Sequence, residues 1–119
     1  MVEGGSIDWA NHRNAIDKSV GEVLEFDKTI EQTIEYLSKE GLIDNTLIIV
    51  TGDHETNGLT ITGPYKSRLA KGEIPEVKYC ANNHTAIPVM VWATGPGAEK
   101  ITGKHENTFV FDLMKSTLD

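Results

Sequence analysis

The sequence is short of the features that staple, anchor or steer a chain. It has one cysteine, Cys80. No internal disulfide can form, and the thiol reads as a small buried or loop residue. It has no run of Lys or Arg, and its net charge is −7. Binding a phosphate backbone needs a basic footprint, so nucleic acid is not expected as a partner. No stretch approaches the ~20 apolar residues of a membrane span. The longest apolar runs, 47–50 and 89–93, read instead as buried strands. No signal peptide is recognisable. Repeats and low-complexity linkers are missing too, so the 119 residues read as one domain. What is present is an ordinary globular composition, 39% apolar and 24% charged.

The first twelve residues are the densest in chemistry. Glu3, Asp8 and His12 lie within ten positions of one another, around the pair Gly4-Gly5. Glycine takes positive φ without a Cβ clash, so this backbone can bend sharply. The segment 4–14 reads as loop. Asp8 and His12, four apart, share a face wherever the chain there is helical.

From Ile16 the apolar residues recur at helical spacing through Val20, Val23, Leu24, Ile30, Ile34 and Leu37. Ser19-x-x-Glu22 reads as a capping box, and Gly41 as the glycine that ends the helix. The β-branched run 46–50 suits a central strand covered on both faces. Thr51-Gly52-Asp53-His54-Glu55 follows it directly, and ligand sites in α/β sheets form at the carboxyl ends of strands. Residues 57–83 read as an irregular insertion, with a short strand at 59–62 and a helical turn at 67–71. Asn82-Asn83-His84-Thr85 leads into a second strand at 88–93, stopped by Gly95-Pro96-Gly97. A last helix is expected over 108–118, with Asn107 as N-cap and Phe109, Val110, Leu113, Met114 and Thr117 on its buried side. The order of helices and strands implies α/β layers. Two central strands are too few for an independent two-sided sheet, so the apolar faces are expected to pack against something outside this chain.

Three clusters carry the chemistry: Glu3/Asp8/His12, Asp53-His54 and His84. Zinc accepts mixed His and carboxylate ligands at about 2.0–2.2 Å. Glu3, an oxygen ligand, also suits magnesium. Taken singly, each has an ordinary explanation. An Asp-His pair after a strand is turn or cap chemistry, Asp8 a loop aspartate, and His84 beside two asparagines a surface histidine. His105 is assigned no role, and Trp9 and Trp92 read as packing residues. The three clusters together, each beside a strand end, are much harder to explain away.

Glu3-Gly-Gly-Ser-Ile-Asp8-x-x-x-His12, then Val50-Thr-Gly-Asp53-His54-Glu55, then His84-Thr-Ala, in that order, resembles the C-terminal part of alkaline phosphatase. The resemblance covers nearly the whole chain, which it makes the C-terminal portion (1–119) of an alkaline phosphatase domain with the insertion at about 57–83. It implies part of a three-layer α/β/α sandwich, incomplete in this chain. It implies hydrolysis of phosphate monoesters through a phosphoserine intermediate, with two zinc ions (Zn2+) and one magnesium (Mg2+). Asp8, His12 and His84 resemble the ligands of the first zinc, which activates the attacking water. Asp53 and His54 resemble ligands of the second, which activates the serine. Glu3 resembles the magnesium ligand. Two metals about 4 Å apart can clamp the attacking and leaving oxygens of an in-line transfer, and zinc lowers the pKa of bound water toward ~7. Trp9 falls near the phosphate, where the family varies among Lys, His and Trp.

No motif matches the family's nucleophilic serine, its phosphate-binding arginine, or the aspartate shared by zinc and magnesium. Ser6 does not match the nucleophile segment. Those groups belong to an N-terminal part, so no catalytic residue is assigned in this chain. It is expected to be inactive alone, to bind one zinc, and to leave the second zinc and the magnesium sites incomplete. The resemblance further implies the N-terminal part as partner, a homodimer, and a periplasmic or extracellular location. Exposed apolar faces would favour self-association of the chain alone. Two other readings stay open: a phosphomutase or phosphodiesterase of the same superfamily, and a non-catalytic metal-binding module.

Overall fold

Glycines at positions 4 and 5 open the chain, yet the first element is a helix. The computed structural model describes residues 1–64 and 69–117. Within the segment expected to be loop lies α1, Gly5–His12, followed by α2, Ile16–Lys39. Gly4 is the N-cap of α1 and Gly5 its first residue, where a helix tolerates glycine. A Cβ on Gly4 would come within 2.9 Å of the Phe26 ring, so the missing side chain lets α1 start hard against α2. At the other end Asn14 takes φ 53 and the amides of Arg13, Asn14 and Ala15 close on α1 carbonyls. Asparagine here does what glycine usually does at a helix C-terminus. The expected capping box does not form. Ser19 lies inside α2 and is buried, its amide bonded to the Ala15 carbonyl.

The chain divides into two compact units, Met1–Ile30 with His54–Pro88, and Glu31–Asp53 with the described residues from Val89 onward. In the first unit, β2 (Glu55–Thr56) pairs antiparallel with β5 (His84–Thr85), and β3 (Leu59–Ile61) with β4 (Val77–Tyr79). The β3–β4 ladder falls in the region expected to be an irregular insertion. Part of the helical turn expected at 67–71 lies outside the described residues.

In the second unit, α2 ends as expected at Gly41, φ 68. Leu42 N–H reaches the Leu37 carbonyl at 2.8 Å and Gly41 N–H the Ser38 carbonyl at 3.1 Å, the paired bonds of a Schellman motif. Next comes β1, Ile48–Thr51, antiparallel to β6, Val91–Thr94, with Ile48 opposite Thr94 and Thr51 opposite Val91. These strands start two to three residues later than expected and are not fully covered. Ile48, Ile49 and Val50 are half-buried and Trp92 is exposed, because each strand has one partner strand among the described residues. The last helix is α3, Phe109–Ser116, capped by Thr108 without a side-chain bond, so the expected Asn107 cap is not used. Leu113 is buried and Phe109 and Val110 half-buried. Met114 and Thr117, also expected on the buried side, are exposed.

Among the described residues only Ala10 and Leu113 are buried apolar residues. Trp92, Phe111, Met90 and Ile61 are exposed, in line with the expectation of apolar faces lacking a cover. Among the described residues no helix is long and apolar enough to cross a membrane.

Candidate metal centre

Helical spacing places the first two donors. Asp8 and His12 sit one turn apart on α1, and Asp8 Oδ1 lies 3.4 Å from His12 Nε2. The third donor comes from β5. His84 Nε2 is 3.0 Å from His12 Nε2 and 3.5 Å from Asp8 Oδ1. Three ligands on a tetrahedral ion with ~2.0 Å bonds stand ~3.3 Å apart. Spacings of 3.0, 3.4 and 3.5 Å therefore suit one small divalent cation. The donor set, two imidazoles and a carboxylate, is one that zinc accepts. All three side chains keep part of their surface open, which leaves room for a fourth ligand.

The neighbours of this triangle hold it in shape. His54 stacks on His84 with ring centroids 3.5 Å apart and an 18° tilt. The buried Thr56 hydroxyl donates to Asp8 Oδ1 at 2.6 Å and lies 3.4 Å from His54 Nδ1. One hydroxyl thus touches a donor of the triangle and the ring stacked on it. Asn57 is buried in the left-handed region at φ 63. Its Nδ2 donates to the Asn11 carbonyl and to Asn14 Oδ1, both at 3.0 Å, fastening the end of α1. Tyr79 Oη donates to Asn11 Oδ1 at 3.0 Å, and burial together with the Asp17 charge raises its pKa.

Glu55 faces away from the triangle. Its Oε2 accepts from Gly58 N–H at 3.0 Å and from the Thr85 hydroxyl, and its Oε1 from Leu59 N–H at 2.9 Å. Burial works to raise its pKa, but the bonds from Thr85, Leu59 and Gly58, together with the neighbouring His54, outweigh it and hold the carboxyl below its ordinary value.

The sequence-derived candidates thus fall into groups. Asp8, His12 and His84 meet, and His54 stacks on His84. Glu3 is exposed ahead of α1, its carboxylate leaning over Gly5, and is not among the three. Trp9, beside Asp8 on α1, is exposed. Asp53 is exposed in the bend after β1, the last residue of the Glu31–Asp53 segment of the second unit. Thr56, Asn57 and the bonding of Glu55 were not legible in the sequence. The available signal was the alternation of β2, which puts Thr56 on the same side as His54.

A family model described as alkaline phosphatase matches residues 1–74. The chain belongs to the alkaline phosphatase family. Alkaline phosphatase 4 of Bacillus subtilis is 43% identical over 183 residues, covering 98% of this chain and 39% of that protein. Alkaline phosphatase of Escherichia coli is 29% identical, covering 99% of this chain and 27% of that protein. Among solved structures, a variant of TAB5 alkaline phosphatase with Mg bound matches at TM-score 0.77 and 32% identity, covering 97% of this chain and 34% of that one. The chain thus spans about a quarter to two fifths of the length of these alkaline phosphatases. Its fold is α/β, part of the alkaline phosphatase sandwich and incomplete in this chain.

Proposed function

We propose that this chain supplies metal-binding residues to an alkaline phosphatase that hydrolyses phosphate monoesters through a phosphoserine intermediate. One observation carries the reading: Asp8 Oδ1, His12 Nε2 and His84 Nε2 converge from a helix and a distant strand on a single point. Asp8, His12 and His84 hold the first zinc, and Asp53 and His54 belong to the second. Glu3 serves magnesium, and Trp9 flanks the phosphate. When bound, such metals stabilise charge on the attacking and leaving oxygens of an in-line transfer.

The remaining roles belong to the chain itself. The α1 backbone fixes the Asp8–His12 spacing, Thr56 orients the Asp8 carboxylate, and the His54–His84 stack sets the ring planes. Residues 1–119 then form the C-terminal portion of the catalytic domain, with the insertion at about 57–83. The partner is the N-terminal part of the same enzyme, whose serine and arginine no motif here matches. The whole enzyme is a periplasmic or extracellular homodimer, and the isolated chain self-associates through its exposed apolar residues.

Zinc analysis tests this. After exhaustive dialysis from a zinc buffer, the chain is expected to retain about one zinc, and His12→Ala to lose it. Equal zinc in both proteins would sink the reading.

A further inference from the structure

We propose that Glu55 is a positioning residue for the metal site, a carboxylate that locks β2 to β5 and thereby sets His54 against His84. The proposal rests on the reading of those histidines as metal ligands.

The ladder between β2 and β5 has two residue pairs, Glu55 with Thr85 and Thr56 with His84. So short a ladder is marginal on backbone bonds alone. Side chains alternate between the two faces of a strand. One face carries Thr56 and His84 toward Asp8 and His12, with contacts of 2.6 and 3.0 Å. The other carries Glu55 and Thr85, joined across the ladder by the Thr85 hydroxyl. The same carboxylate accepts Gly58 N–H and Leu59 N–H and so ties down the turn between β2 and β3. Gly58 has φ 62, and a Cβ there would lie 3.3 Å from the Ala81 amide nitrogen, so this turn is held close to the chain approaching β5.

Glu55 follows His54 directly, and Thr85 follows His84. A slip between Glu55 and Thr85 is therefore passed by one peptide unit on each side to a stack of rings 3.5 Å apart. Both carboxylate oxygens accept from the chain's own donors. Glu55 thus acts through the histidines and not on an ion. An amide at this position would put an NH2 where donors converge, which makes Glu55→Gln an informative change despite its nearly equal size.

The test uses the 119-residue chain, zinc competition against a chelator, and the visible spectrum of bound Co2+, whose bands report coordination geometry. Glu55→Gln and Thr85→Val are expected to weaken zinc ~10-fold or more and to shift the Co2+ bands. Thr85→Ser, which keeps the hydroxyl, should match the unsubstituted chain in both. Leu113→Ala, in the other unit, should lower thermal stability without moving the bands. Should Glu55→Gln not fold, the Thr85→Val and Thr85→Ser pair decides alone. Wild-type affinity and spectrum in Thr85→Val, with zinc still lost in His12→Ala, would overturn the positioning role and leave the metal reading standing. Failure of the unsubstituted chain to bind zinc would overturn both.

Discussion

At Asn57 backbone and side chain serve different ends. The backbone takes φ 63, which lets β2 turn directly toward β3, while Nδ2 grips Asn11 near the end of α1 and Asn14 just past it. Asn57→Ala keeps the strained φ and loses both hydrogen bonds, leaving the Asn11 carbonyl without this donor. The expected cost is about 2–3 kcal/mol. Asn57→Gly loses the same bonds but relieves the backbone, so it should cost about 1 kcal/mol less. Urea unfolding of the two variants checks the order, and equal costs would mean that the conformation at this position is unstrained. None of this was legible in advance. In the sequence Asn57 only opens the irregular insertion 57–83, and its partners stand 43 and 46 positions away. Asp8 and His12 were legible because their spacing is local. Thr56, 48 positions from Asp8, was hidden for the same reason as Asn57.

Elements followed the sequence where the signal was periodic. The α2 helix and its Gly41 stop came from apolar spacing and one glycine. The α1 helix lies in a segment where two glycines point to a sharp bend, but they occupy its cap and first turn, where a helix tolerates them. The β1–β6 pair depends on a glycine in another way. Gly95 has φ 98, and a Cβ on it would stand 2.0 Å from the Thr46 carbonyl oxygen. Gly41 has φ 68 with open space around it. Both positions take a positive φ and differ in room. Gly41→Ala should cost about 1 kcal/mol. Gly95→Ala should cost several times as much and free the β1 amides to exchange with solvent. Hydrogen exchange read at residues 48–51 checks this, and matching protection in the two variants would refute it.

For the whole molecule, the α/β class was legible, and so was the lack of a cover on the apolar faces, but not what covers them. Sequence periodicity marks a face as apolar without saying what covers it. Two buried apolar residues among those described leave Trp92, Phe111 and Met90 open. An alkaline phosphatase also needs a nucleophile, and no segment here matches one. The purified chain should therefore give no turnover of an aryl phosphate above background, even with zinc and magnesium added. Turnover that Asp53→Ala abolishes would show the chain to be self-sufficient.

His12 and His84 stand 72 positions apart, yet their ring nitrogens are 3.0 Å from each other. A cation shared by them would act as a clasp on a long loop. Closing a loop of that length costs roughly 4 kcal/mol of chain entropy on the scale used for cross-links. Two donors wait together on α1, so the ion needs to capture only the third to draw the loop shut. Chelation would then be felt far from the donors. Taking the ion away should loosen the turns and ladders strung between Arg13 and Asn83, as cutting a tie slackens everything it held.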